Sequence, residues 1–89
     1  MEKVLRSREQ KILQVMLRQA RERTGINQEN FAAVIDEPQS FITKYETGKR
    51  MLRVIELIAI LRALNVSPSE FIEELDEKIG PEISILPPK

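Results

Sequence analysis

The run Ile26 to Arg50, INQENFAAVIDEPQSFITKYETGKR, limits the possible folds more than any other part of the chain, because it holds two short helical patterns separated by a tight turn. Asn27 suits the N-cap of the first helix, where its side-chain oxygen can accept from the free N–H groups of the opening turn. Phe31, Ala32, Val34 and Ile35 then supply an apolar face at helical spacing. Pro38 disfavours helix at Glu37 and is itself tolerated at the first helical position, so the second helix is predicted to start there. In that helix Phe41, Ile42 and Tyr45 turn inward, while Gln39, Ser40, Thr43 and Lys44 turn outward. Gly48 permits the left-handed backbone that ends it. Phe41 is read as mainly packing, and Tyr45 as core with its hydroxyl reaching the surface.

The flanking sequence extends the helical reading in both directions. Ser7 and Gln10 have capping-box spacing ahead of a helix that runs to Gly25, with Ile12, Leu13, Met16, Leu17 and Ala20 as its apolar stripe. Arg18 and Arg23, near its C-terminal end, are read as solvated charges that complement the helix dipole. The segment from Arg53 to Leu64, RVIELIAILRAL, is apolar over most of its circumference and is predicted to be the central core helix. Asn65 is suited to a left-handed C-cap. Ser67-Pro68-Ser69-Glu70 forms a capping box with proline at the first helical position, and it launches a last helix with Phe71, Ile72, Leu75 and Ile79 on one face. Five helices with short connections and no internal strand predict a compact all-α domain over residues 1–80. The tail, residues 81–89, ends in EISILPPK. Its apolar residues would suit an edge strand at an interface, whereas its prolines favour an extended, disordered end.

Composition removes whole classes of chemistry. At 89 residues the chain is one small domain, near the size where a single core suffices. It has neither cysteine nor histidine. Disulfides, thiolate sites, Ser-His-Asp catalysis and Cys/His zinc sites are therefore excluded, and neither an enzyme nor a metal or other cofactor is expected. The opening MEKVLRSREQ is charged where a signal peptide would be apolar, and no window approaches a membrane span, so a soluble, cytoplasmic protein is expected. The formal net charge of zero hides an asymmetry. Residues 1–50 hold ten Lys/Arg against seven Asp/Glu, and residues 51–89 hold four against seven. A basic half and an acidic half suit a molecule that meets phosphate at one end and protein at the other.

Gln28, Ala32 and Tyr45-Glu46-Thr47-Gly48 match, in order and spacing, the motif of the phage-repressor and Cro (XRE) type of helix-turn-helix proteins, which this chain resembles from about Ile12 to Leu75. The resemblance implies a repressor-like five-helix domain with the motif on helices 2 and 3. It also implies a buried ion pair between Arg21 and Glu46. Phe41 departs from the small or polar residue common at its position.

In the docking mode of such proteins, helix 3 enters the major groove of double-stranded DNA and helix 2 crosses the backbone. That mode makes Gln39, Ser40, Thr43 and Lys44 the candidate base readers. The amide of Gln39 suits adenine, Lys44 suits a guanine edge or a phosphate, and the preferences of Ser40 and Thr43 stay open. Gln28 at the start of helix 2, with Lys49, Arg50 and Arg53 after the motif, are the candidate phosphate contacts. A homodimer reading a palindrome would place its interface on Ile72, Leu75 and Ile79, although the same residues would also serve to close the monomer core. The function expected from the resemblance is a sequence-specific repressor. The alternatives are an antitoxin that also binds a toxin, and a protein-interaction module without DNA binding.

Overall fold

The structure is a computed structural model and describes residues 8–81. Five helices follow one another: α1 (Arg8–Thr24), α2 (Gln28–Val34), α3 (Gln39–Glu46), α4 (Val54–Ala63) and α5 (Pro68–Ile79). No strand occurs among the described residues. The Ser7 cap and the tail from Glu82 onward lie outside them.

Local chemistry sets most of the boundaries. Asn27 caps α2, its side chain accepting from the Asn30 N–H at 2.8 Å. Ser67 does the same for α5, accepting from Glu70 at 3.3 Å with Pro68 in the first turn. Three helices end on one device. The N–H two residues past the C-cap reaches back to a carbonyl of the last turn, in the bonds Glu37 to Ala32 (2.9 Å), Lys49 to Lys44 (2.8 Å) and Val66 to Leu61 (2.8 Å). Each bond requires the preceding residue to take positive φ, and Asp36, Gly48 and Asn65 do so at 57°, 82° and 59°. A Cβ at Gly48 would also meet the end of the Gln14 side chain of α1, which would have to turn aside, so the positive φ is the stronger demand for glycine.

Two expected helix starts need correction. Pro38 is the N-cap of α3 rather than its first helical residue, with ψ at 152°, and the helix starts at Gln39. Proline's fixed φ suits both positions, so only ψ separates them. Arg53 likewise precedes α4 as its cap. It has no acceptor to offer, and only the reciprocal half of a capping box is made, Glu56 accepting from the Arg53 N–H at 2.9 Å. That bond, aided by Arg50, holds the Glu56 carboxyl below its usual pKa.

The core gathers one stripe from every helix: Met16, Leu17 and Ala20 from α1, Phe31 and Ala32 from α2, Ile42 and Tyr45 from α3, Ile60 and Leu61 from α4 with Leu64 just beyond, and Phe71 from α5. Ile12, Leu13, Ile35, Phe41, Leu57 and Leu75 pack against its edge. α1 lies against α3 and α5, α2 against α3, and α4 against α5. Val34 is exposed rather than part of the α2 face. The expectation for α4 also fails over its first turn. Val54 and Ile55 are 71% and 76% exposed, because only the side facing α5 and the core is covered.

Tyr45 departs from expectation in a different way. Its ring is fully buried, and its hydroxyl is buried too, with no hydrogen-bond partner among the described residues. Burial, reinforced by the Glu46 charge, pushes the phenol well above its ordinary pKa. An unpaired buried hydroxyl costs about 1–3 kcal/mol, so Tyr45→Phe is expected to leave stability unchanged or to raise it by up to about 1 kcal/mol in urea unfolding. Above about pH 10 the unfolded chain releases this proton and the folded chain keeps it, so Tyr45 makes stability fall as pH rises further. The phenylalanine variant should lose that component of the alkaline decline.

Candidate nucleic-acid interface

The surface offered by α3 follows from what its other side buries. Ile42, Tyr45 and Glu46 are turned into the fold, which leaves Gln39, Ser40, Thr43 and Lys44 exposed along one row. No acidic side chain stands in that row. α3 packs on α2 with a four-residue turn between them, residues 35–38, so the two helices present a common edge.

Beneath the row, Arg21 and Glu46 form a two-pronged ion pair. Arg21 Nε donates to Glu46 Oε2 at 2.8 Å and Nη2 donates to Oε1 at 3.1 Å. The side chains are 10% and 2% exposed. A third bond, from Arg21 Nη1 to the Ile26 carbonyl at 2.9 Å, ties the end of α1 to the segment that launches α2. Hydrogen bonding to Glu46 raises the pKa of Arg21 against the opposing effect of burial. The pair therefore clamps α1, the start of α2 and the end of α3 into one geometry.

Gln28, read from sequence as a phosphate contact, has its side chain engaged within the protein. Its amide nitrogen donates to Glu46 Oε1 at 3.0 Å, and its amide oxygen accepts from the Thr43 hydroxyl at 2.8 Å. Thr43 thus sits in the outward row and in this network at once. Nothing in the spacing of Gln28, Thr43 and Glu46 signals the link, which arises only once α2 and α3 are packed.

The basic segment after α3 divides into free and committed charges. Lys49 and Arg53 are exposed. Arg50 is half-buried, with Nη2 donating to Glu56 Oε2 at 2.7 Å and the guanidinium carbon 4.9 Å from the centroid of the Phe41 ring. Phe41 in turn meets Tyr45 edge to face, with ring centroids 5.5 Å apart. The aromatic pair and the arginine brace the loop against α3. Glu56 as the partner of Arg50 was invisible in the sequence, because the two flank an irregular segment and share no helix face.

The residues expected at a subunit interface also separate. Ile72 is 46% exposed, whereas Leu75 packs against the core and Ile79 is half-buried. Ile72 instead joins Val54, Leu57, Ile58, Leu61 and Pro68 around an apolar groove between α4 and α5. No helix among the described residues is long and apolar enough to cross a membrane.

Comparison with known proteins agrees with this geometry. The helix-turn-helix family model matches residues 17–71, from the middle of α1 to the first turn of α5. The solved structure of an XRE-family like protein from Pseudomonas syringae pv. tomato str. DC3000 superimposes with a TM-score of 0.75 at 34% identity, covering 82% of this chain and 88% of that one. Control protein C.MunI from Mycoplasma sp is 31% identical over 58 residues, which are 65% of this chain and 78% of that protein. The shared region contains both motif helices, the ion pair beneath them and the core that holds them, and the chain belongs to the XRE-type helix-turn-helix family.

Proposed function

We propose that this chain is a dimeric repressor that reads a palindromic operator. Membership of its family makes it a DNA-binding transcription regulator. The observation that carries the finer reading is the exposed polar row of Gln39, Ser40, Thr43 and Lys44 on a helix whose opposite side is locked into the core. In the major groove, Gln39 pairs with adenine through its amide, and Lys44 takes a guanine edge or a phosphate. Lys49 and Arg53 lie along the backbone and add affinity without sequence choice.

One such domain spans only a few base pairs, so a second copy supplies the other half-site. Val54 and Ile72, both exposed and both lining the apolar groove, support a twofold interface on α4 and the start of α5, with the exposed Ile55 next in sequence, since aliphatic surface of this kind is suited to burial by a partner. Repression follows from occupancy, because a domain standing on a promoter blocks access to it.

Selection of bound sequences from a random duplex pool at about 150 mM salt tests this reading, that ionic strength being high enough to suppress non-specific phosphate binding. The expected result is a palindrome with half-sites about one helical turn, roughly 34 Å, apart. Gln39→Ala should weaken binding to that sequence by about 1–3 kcal/mol, roughly five- to 150-fold, and relax the choice at one A·T pair, with the unfolding midpoint unchanged. A folded protein that enriches no sequence would exclude the repressor and direct attention to a protein partner.

A further inference from the structure

Thr43 stands in the outward row of α3, and its hydroxyl is not free to choose its role. The buried ion pair sets the polarity of every group outward from it. The Glu46 carboxylate accepts from Arg21 and can only accept, so the Gln28 group facing it at 3.0 Å must be the amide NH2. The Gln28 carbonyl oxygen therefore faces Thr43, and it too can only accept. Thr43 must then donate across the 2.8 Å separation. Its other neighbour within reach, the Gln39 carbonyl at 3.4 Å, is likewise an acceptor. At 2.8 Å the Gln28 oxygen is much the stronger acceptor, and while it is in place the one proton of the hydroxyl points back into the protein; the 3.4 Å contact is too long to hold that proton alone.

We infer that Thr43 meets DNA as an acceptor only, so that it selects a base presenting an exocyclic amino group and discriminates against guanine. With its proton committed, the side chain has oxygen lone pairs and a methyl group left to offer. Among major-groove edges, adenine N6 and cytosine N4 donate, whereas guanine N7 and O6 and thymine O4 accept. An acceptor placed against guanine meets two further acceptors, which is repulsive. Thymine remains tolerable through methyl contact alone. Gln28 is then a positioning residue for specificity: it carries the polarity of the Arg21 and Glu46 pair, through two hydrogen bonds, to the surface that meets the bases. This inference rests on the reading of the chain as a sequence-specific DNA binder.

The test uses the full chain in the same duplex selection, comparing wild type with Thr43→Val and Gln28→Leu, each first checked for folding by urea unfolding. Valine keeps the shape and removes the acceptor. The expected wild-type result includes one position per half-site restricted to adenine or cytosine, with guanine rarest. Thr43→Val should lose that restriction and bind the wild-type operator about three- to tenfold more weakly, the range of one ordinary hydrogen bond. Gln28→Leu removes the nearer acceptor while leaving the threonine in place. It should admit guanine at that same position and at no other, an effect that a merely structural role for Gln28 does not produce.

If wild type selects an operator but Thr43→Val leaves every position unchanged, the inference about Thr43 fails and the DNA-binding reading survives. A Thr43-dependent position that prefers guanine in wild type would also overturn the acceptor assignment. If folded wild-type protein selects no sequence, both fail together.

Discussion

Arg21→Ala is expected to destabilise the domain by about 3–5 kcal/mol, because it leaves the Glu46 carboxylate buried without its charge partner. Glu46→Ala should cost a similar amount and also release the Gln28 amide. Natural domains hold only about 5–15 kcal/mol in total, so either variant should lower the thermal midpoint by tens of degrees. Arg21→Lys is not a rescue, since an ammonium cannot reproduce the two-pronged contact with Glu46 together with the bond to the Ile26 carbonyl. The informative comparison is the double replacement Arg21→Met with Glu46→Leu. Removing both charges avoids the stranded carboxylate, so the double variant should be more stable than either alanine variant in urea unfolding. A double variant as unstable as the sum of the two singles would show that the charges act independently and that the clamp described here is wrong.

Phe31→Ala should have an effect of the same size, about 3–5 kcal/mol, by a different route. The ring is 1% exposed and comes from a helix of seven residues, too short to persist without the packing of its inner face. Truncation removes buried apolar surface and leaves a cavity in a core to which all five helices contribute. Phe31→Leu keeps much of the volume and should cost less than half as much. Thermal unfolding of the two variants side by side checks this, and equal losses would mean that the site cannot accommodate any change of shape. Because α2 carries Gln28 and supports α3, the alanine variant should also lose DNA affinity in proportion to the fraction unfolded, and no more than that.

Local capping chemistry explains why so much of this architecture is legible from sequence. Asn27, Gly48, Asn65 and the Ser67-Pro68 pair each mark a helix end through the conformation or hydrogen bond that their own residue type favours, and the structure places ends at all four. Asp36, the left-handed residue between α2 and α3, is not legible in this way, since aspartate takes that conformation less readily than glycine and gives no distinct signal. The pairing of Arg21 with Glu46 came from family resemblance. Twenty-five positions separate the two residues, and no local rule spans that distance.

The site was legible to the depth of a single helix face and no further. Periodicity separates Gln39, Ser40, Thr43 and Lys44 from the core, but it is silent on which of them also bond across to a neighbouring helix. The same limit explains α4. An apolar run states that Val54 and Ile55 are greasy, and it does not say whether this chain or another one covers them. Tyr45 shows the converse, for an amphipathic side chain expected to reach water with its polar end is enclosed entirely.

The tethering of Arg50 to Glu56 and Phe41 bears on how this surface distinguishes one DNA from another. A cation already shared with a carboxylate displaces fewer condensed counterions from a duplex than a free one does, so the loop that follows α3 gains less from the release of salt than its three positive residues suggest. Background attachment to arbitrary DNA draws on that release more heavily than attachment to a cognate site. Holding one cation back therefore lowers the background more than the signal.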